Sequence, residues 1–111
     1  MILAHPSKYS FSHRIAKKCR KITQNRGFEL KLIDLYQEQE QLPFLEFEDI
    51  RKLEPLKLRK KYQDKISWAD KIVFIHPMWW YIMPAILKNF IDQVFTSGFA
   101  NSIPISYPRD F

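Results

Sequence analysis

The first residues that could do chemistry form a polar segment near the start of the chain, from His5 to Ser12. Ser7, Ser10 and Ser12 supply hydroxyl donors, and the His5 imidazole can donate from either ring nitrogen. A helix that begins here would add free backbone N–H groups and a dipole that favour a phosphate group. Most serine-rich helix starts are only caps, so the segment predicts either a phosphate site or a simple N-cap at Ser10 or Ser12.

A run of large side chains, Pro77-Met78-Trp79-Trp80-Tyr81, is the second candidate segment. Its rings could lie against a flat aromatic cofactor. They could also be anchors in the core or in an interface, which residue type alone favours slightly.

The other reactive residues receive structural interpretations. Cys19 is the single cysteine, which excludes an internal disulfide framework and a cysteine-based zinc site, and its place on an apolar helical stripe predicts a buried thiol. His13 is expected to be exposed, and His76 to form a hydrogen bond with the backbone at a strand end. Only Gly27 and Gly98 occur, so no glycine-rich loop of the Rossmann or Walker A type is present. No metal site is expected.

Hydrophobic periodicity predicts three strands that alternate with three helices. The strands are predicted at 1–4, at 28–32, where apolar and polar residues alternate, and at 72–75, a β-branched run typical of a strand buried on both faces. The helices are predicted from Ser10 to a stop at Asn25-Arg26-Gly27, from Pro55 with Leu58, Tyr62, Ile66 and Ala69 on one face, and from Pro84 to Phe95. The acidic segment 37–48 is expected to be a loop.

This order predicts a three-layer α/β/α domain with a parallel sheet and right-handed crossovers. The alternating second strand belongs at an edge, which gives the strand order 2-1-3. That order begins the flavodoxin-like topology, whose ligand site lies at the carboxyl ends of strands one and three. Both candidate segments fall at these strand ends, and this position favours ligand contact for the aromatic run.

Length and charge limit the remaining possibilities. A chain of 111 residues forms one domain at most. A net charge of +6 could attract nucleic acid, an anionic membrane or a phosphate-bearing ligand. The basic residues interleave with periodic apolar positions, which indicates solvated helix faces, and no nucleic-acid partner is expected. We also expect a cytoplasmic protein, because neither a membrane-spanning stretch nor a secretory signal is recognisable.

Several segments resemble a known family, the quinone-reductase branch of flavodoxin-like proteins. The similar segments are Ile2-Leu3-Ala4-His5-Pro6 with Ser10-Phe11, then Asp34-Leu35-Tyr36, and a long run from Ala69 through Pro77–Tyr81 and Met83–Lys88 to Ala100. The branch includes NAD(P)H:quinone oxidoreductase, modulator of drug activity B and the ancillary flavoproteins of potassium-efflux systems. The resemblance covers residues 1–100, and we expect 101–111 to be an irregular tail.

The resemblance implies an NAD(P)H dehydrogenase (quinone) in which a flavin, with FAD favoured over FMN, takes a hydride at N5 and passes two electrons to a quinone. The flavin phosphates would contact His5, Tyr9, Ser10, Phe11 and Ser12, although the family often has a smaller residue in place of Tyr9. The isoalloxazine ring would contact Pro77, Met78, Trp79, Trp80 and Tyr81. The resemblance also implies a homodimer with the flavin at its interface, and it assigns no catalytic side chain.

The chain departs from the family in its length. A five-stranded flavodoxin-like sheet needs roughly 150 residues at about 30 per βα unit. Residues 1–111 supply three strands, so we expect a single truncated domain without strands four and five, with strand three as a bare edge. The alternative to an enzyme is a non-catalytic binding or interaction module, such as a regulatory partner of another protein, that pairs this edge.

Overall fold

The structure of the protein is a computed structural model that describes residues 1–96 and 99–100. Its elements are β1 (Ile2–Leu3), α1 (Phe11–Asn25), β2 (Ile33–Asp34), a 3₁₀ turn (Ile50–Lys52), α2 (Lys57–Trp68), β3 (Phe74–Ile75) and α3 (Ala85–Val94). The predicted alternation of strands and helices is therefore confirmed. Within the described part of the chain, no helix is long and apolar enough to cross a membrane. The predicted tail, 101–111, lies outside the described residues.

The three strands form one parallel sheet in the order β2-β1-β3, as predicted. In the register of the sheet, Ile2 lies between Ile33 and Phe74. Leu3 lies between Asp34 and Ile75. Neighbours in register point to the same face, so Asp34 projects from the face that carries Leu3.

The second strand lies later in the chain than the alternating pattern predicted. Residues 28–32 carry no strand assignment, and β2 is Ile33–Asp34. The backbone of β1 explains the difference: Met1 donates from its amino group to the carbonyl of Lys31, and Ile33 donates to the carbonyl of Met1. The ladder with β1 joins Ile2 to Ile33 and Leu3 to Asp34, so the alternating residues 28–32 lie before the paired part of the strand.

Helix α1 covers the face of the sheet that carries Leu3. It begins after Ser10, whose side chain accepts a hydrogen bond from the backbone N–H of His13, which confirms Ser10 as the N-cap. It ends before Gly27, whose φ of +80° is the left-handed conformation that glycine adopts most readily after a helix. Ala16 packs with Leu3 and Ile75.

Cys19 does not take the fully buried position that was predicted. The thiol is free and half-buried, and it packs against the edge of the small cluster formed by Leu3, Ala16 and Ile75. Among the described elements, α1 alone packs on this face of β1 and β3, so the cluster is too small to enclose the thiol.

The main core lies on the opposite face, beneath α2 and α3. One cluster joins Ile2 and Ala4 of the first strand region to Leu58, Tyr62, Ile66, Leu87, Phe90 and Val94 of the helices. The rings of Tyr62 and Phe90 meet edge to face at 5.2 Å between centroids. The predicted apolar face of α2 is therefore confirmed, except that the helix ends before Ala69. Pro84 was predicted to be the first residue of the last helix. It is instead the N-cap, and α3 begins at Ala85.

The third strand is not buried on both faces. Val73 and Phe74 are 47% and 39% exposed, while Ile75 is buried. The prediction rested on residue type, but burial also requires a neighbour that covers the side chain. In the described part of the chain β3 is an edge strand with β1 on one side only, which agrees with the predicted bare edge.

Candidate functional site

The two segments singled out in the sequence meet at the carboxyl ends of β1 and β3. The imidazole of His5 and the indole of Trp79 lie edge to face, with 6.1 Å between ring centroids. The His5 ring also lies 6.4 Å from the His13 ring in the same type of arrangement. Parallel strands end at the same edge of a sheet, so β1 and β3 bring together loops that are separated by about 70 positions in the sequence.

The loop between β1 and α1 is held by its own short side chains. The Ser7 backbone N–H donates to His5 Nδ1 at 3.0 Å, and the Tyr9 N–H donates to Ser7 Oγ at 3.2 Å. The Ser10 N–H donates to the carbonyl of Ser7 at 3.2 Å. These bonds form a compact turn that leads directly into the N-cap. The Tyr9 ring is 90% exposed as a result.

The amino end of α1 keeps free donors. The Ser10 side chain accepts a hydrogen bond from the N–H of His13, and the Ser10 carbonyl accepts one from the N–H of Arg14. The N–H groups of Phe11 and Ser12 have no acceptor among the described residues, as is usual in a first helical turn. The Ser12 side chain is buried, so only its backbone faces the open end of the helix. This part of the site can therefore accept an anion through backbone N–H groups.

The aromatic loop contains a tight turn in a costly conformation. Trp79 and Ile82 exchange two backbone hydrogen bonds, of 2.8 and 3.1 Å. The two residues between them, Trp80 and Tyr81, have φ angles of 53° and 65°. Positive φ at both central positions is the geometry of a type I′ turn, which favours Asn and Gly. Large aromatic residues in this region cost on the order of 1–3 kcal/mol each, and such strain is concentrated at functional sites.

The turn presents its rings to solvent. Trp80 is 93% exposed, Tyr81 is 94% exposed and Met78 is 71% exposed. The alternative that the aromatic run anchors the core is therefore wrong for Trp80 and Tyr81. Trp79 is partly covered by its contact with His5. At the start of the loop, His76 Nδ1 lies 2.8 Å from the carbonyl oxygen of Pro77, which confirms the predicted backbone hydrogen bond.

His13 does not have the exposed position that the sequence predicted. Its side chain is 14% exposed and lies between two partners, Ser10 and Asp34. Nδ1 is 2.9 Å from Ser10 Oγ, and Nε2 is 3.0 Å from Asp34 Oδ2. A signal was present in the spacing, because position 13 is three residues before the buried Ala16 and therefore on the inward face of α1.

Asp34 reaches His13 because it ends β2 on the face of the sheet that α1 covers. Its second oxygen, Oδ1, is buried without a hydrogen-bond partner among the described residues. Beside the pair is an open cavity of about 260 Å³, whose lining includes Lys8, Lys17 and Arg20. Three cations around one carboxylate make this side of the helix start electrically positive. Over the described residues, no group of acidic, histidine and cysteine side chains could hold a metal ion.

Comparison with known proteins identifies the class to which this fold belongs. A family model described as a flavodoxin-like fold matches residues 1–108. The chain therefore belongs to the flavodoxin-like fold family.

Several of the proteins that the chain resembles are oxidoreductases by name. The chain is 35% identical over 105 residues to an uncharacterized NAD(P)H oxidoreductase of Haemophilus influenzae, a match that covers 90% of this chain and 51% of that protein. It superimposes on Smu.1420 of Streptococcus mutans with a TM-score of 0.75 and 39% identity, over 89% of this chain and 54% of that one.

A third similar protein is the NAD(P)H:quinone oxidoreductase of Methanothermobacter marburgensis, with a TM-score of 0.77 and 28% identity. That match covers 87% of this chain and 52% of the other. The chain thus spans about half the length of the proteins it matches. The resemblance to quinone reductases that the sequence suggested is confirmed at the level of family.

Proposed function

We propose that this chain forms the flavin-binding part of an NAD(P)H:quinone oxidoreductase. The observation that carries the proposal is the meeting of two loops at the carboxyl ends of β1 and β3. One loop ends in the free N–H groups of a helix start, and the other presents a strained turn with exposed rings. A phosphate-bearing, flat aromatic ligand needs both kinds of surface at one place.

The helix start would hold the phosphate end of the flavin. The N–H groups of Phe11 and Ser12 would donate to phosphate oxygens, and the α1 dipole adds a favourable potential there. The hydroxyl of Ser10 and the imidazole of His5 complete the donor set proposed from the sequence. Tyr9, with an exposed ring, would cover the phosphate from the solvent side.

The aromatic loop would hold the isoalloxazine ring. The type I′ turn holds Trp80 and Tyr81 outside the core, where their surfaces are free to pack on a flat ligand. The backbone of Pro77, Met78 and Trp79 leads from β3 toward the same place. The contact between His5 and Trp79 supports one shared site, because it brings the two loops side by side.

The flavin supplies the redox chemistry, taking a hydride from NAD(P)H and passing two electrons to a quinone. The chain would contribute binding and orientation, with Trp80 and Tyr81 packing on the ring and the phosphate end held at the start of α1. The names of the relatives support NAD(P)H and a quinone as these substrates. FAD in preference to FMN, a homodimer and a cytoplasmic location remain predictions of the same proposal.

A non-catalytic interaction module stays a second candidate because of one observation. Val73 and Phe74 leave apolar surface exposed at the edge of the sheet, where β3 pairs with no further strand among residues 1–96 and 99–100. An unpaired edge of this kind can accept a strand from a partner. A chain that binds no flavin but associates through this edge would favour the second candidate.

A flavin titration tests the proposal. The purified chain is titrated with FAD, FMN and riboflavin, and binding is followed by quenching of flavin fluorescence. We expect saturable binding that Trp80→Ala weakens by about tenfold or more, which corresponds to about 1.4 kcal/mol. Phe28→Ala is the matched control, because Phe28 is an exposed aromatic residue that precedes β2, at the opposite edge of the sheet. Equal weakening by both variants, or no binding of any flavin, would contradict the proposal.

A further inference from the structure

The hydroxyl of Ser10 has fewer free positions than a cap residue normally keeps. A serine hydroxyl has one proton to donate and two lone pairs to accept with. One lone pair already accepts the N–H of His13 at 3.1 Å. The contact with His13 Nδ1 at 2.9 Å uses a second position. Whether that second position is the proton or the remaining lone pair depends on the protonation of His13.

With a neutral His13, the proton of Ser10 is consumed. Nε2 faces the Asp34 carboxylate at 3.0 Å and therefore carries the ring hydrogen. Nδ1 is then an acceptor, and the Ser10 hydroxyl must donate to it. In this state Ser10 can offer only a lone pair to a ligand at the helix start, and a lone pair repels a phosphate oxygen.

With a charged His13, the direction of the bond reverses. Both ring nitrogens carry hydrogen, so Nδ1 donates to Ser10 Oγ while Nε2 still donates to Asp34. The Ser10 proton is released from His13 and can donate to a phosphate. The positive charge of the imidazolium is balanced by Asp34 on one side and also favours an anion at the start of α1.

Other titratable and charged groups around His13 also favour or oppose its charged form. His5, from the loop after β1, is the other imidazole in ring contact with it. Lys8, Lys17 and Arg20 line the cavity that His13 and Asp34 share, and they oppose a further positive charge. The nearest buried β3 residue on this face is Ile75, which is apolar. Asp34 is thus the acidic group that offsets the cations.

We propose that His13 is a positioning residue of the flavin phosphate site, which takes up a proton when phosphate binds and thereby turns the Ser10 hydroxyl toward the ligand. Asp34 holds the resulting imidazolium. This inference rests on the proposed flavin function. It adds a proton to the binding reaction and makes the affinity for a phosphate-bearing flavin fall as the pH rises.

FMN and riboflavin separate this effect from ring binding, because they share the isoalloxazine ring and only FMN carries a phosphate. Dissociation constants of both are measured between pH 6 and 8 for the wild type, for His13→Gln and for Asp34→Asn. The phosphate of FMN titrates in the same range, so the ratio of wild-type to variant constants is the quantity compared. Lys18→Gln, which removes an exposed cation of α1 outside the cavity, is the control.

We expect the advantage of the wild type over His13→Gln in FMN binding to shrink with rising pH, by at most about tenfold per pH unit for one proton. Asp34→Asn keeps an acceptor for Nε2 but loses the charge that balances the imidazolium. The advantage of Asp34→Asn over His13→Gln in FMN binding at low pH should therefore be smaller than that of the wild type. Riboflavin should show the same pH profile in all four proteins. Imidazole ¹⁵N resonances of the wild type at fixed pH should show more protonated His13 after FMN is added.

Parallel FMN profiles in the wild type and His13→Gln, with unchanged His13 resonances on FMN binding, would overturn the inference while leaving the flavin function intact. The resonances decide the question even if His13→Gln does not fold. Failure of the wild type to bind either flavin would instead remove the proposed function, and this inference with it.

Discussion

His13 and Asp34 lie 21 positions apart in the chain, yet their side chains meet at 3.0 Å between the first turn of α1 and the end of β2. Both side chains are more than four-fifths shielded from solvent. The pair therefore links a helix start to a strand end, and it holds the candidate phosphate loop against the sheet.

Loss of this pair should destabilise the fold. Asp34→Ala leaves His13 Nε2 shielded from water without its acceptor, which costs about 1–3 kcal/mol. Asp64→Ala is the control, because Asp64 pairs with Lys60 on the exposed face of α2 and such pairs contribute about 0.5 kcal/mol or less. Urea unfolding at pH 7 measures both. Equal losses in the free energy of unfolding for the two variants would show that the shielding of the His13–Asp34 pair does not add to stability.

The strained turn should be easy to relax. Tyr81→Gly places a residue that tolerates positive φ at a left-handed position, so we expect the free energy of unfolding to rise by up to about 1 kcal/mol. Flavin affinity should fall in the same variant, since the exposed ring is lost. Thermal unfolding with and without FMN measures both effects. A loss of stability would mean that the Tyr81 ring stabilises the fold more than its backbone strains it.

Truncation of aromatic residues should distinguish those of the candidate site from those of the core. Trp80→Ala removes a ring that is 93% exposed, so we expect a change in stability within about 1 kcal/mol. Phe90→Ala removes a fully buried ring and should cost about 3–5 kcal/mol. Denaturant titration of the two variants gives the comparison. A large loss of stability in Trp80→Ala would mean that Trp80 anchors the core after all.

Alkaline pH should weaken the core at one residue. Burial, together with the negative charges of Glu38 and Glu40, raises the pKa of Tyr62 to about 12, against an ordinary value near 10. Between these values the unfolded chain loses the phenolic proton while the folded chain keeps it, so stability falls as the pH rises, by about 1.4 kcal/mol per unit.

The variant Tyr62→Phe isolates this effect, because it keeps the ring and removes the titrating group. The stability difference between the wild type and Tyr62→Phe should be constant up to about pH 9 and should then shift in favour of the variant. Unfolding at a series of pH values measures it. A difference that does not change up to pH 12 would contradict the assigned pKa.

Self-association should depend on the edge of the sheet. Light scattering at tens of micromolar should show species larger than a monomer. Val73→Lys should reduce them, because Val73 directly precedes β3 and a lysine at the edge of a sheet opposes pairing. Phe47→Lys, a change at an exposed residue of the loop before α2, is the control. A monomeric wild type, or equal effects of both lysines, would contradict association through β3.

Local patterns predicted the topology because each element carries its own signal. The alternation near Leu32 pointed to an edge strand, and Ser10 could be recognised as a cap from its position before the periodic stretch. What the patterns could not give was the position of the second ladder. That position depends on where the backbone of β1 lies beside residue 31, which is a long-range relationship.

The same limit explains the residues that were misjudged. His13 was predicted to be exposed because its partner Asp34 lies in another element, and no local rule connects them. Val73 and Phe74 were predicted to be buried because they are apolar, whereas their burial depends on what lies beyond β3. The outward direction of Trp80 depends on positive φ angles at Trp80 and Tyr81. The sequence does not predict them, because turns of this type favour Asn and Gly rather than aromatic residues.

The core cluster that joins Ile2 to Val94 has a consequence for synthesis on the ribosome. The first strand can pair with β2 once residues 33–34 have been made and with β3 only after 74–75, and the core around Ile2 and Ala4 is complete only when α3 has been made. Until then the cover of Ile2 and Ala4 in the emerging chain is incomplete. Closing such distant contacts is slow, so the nascent first strand is a natural binding segment for chaperones that recognise exposed apolar residues.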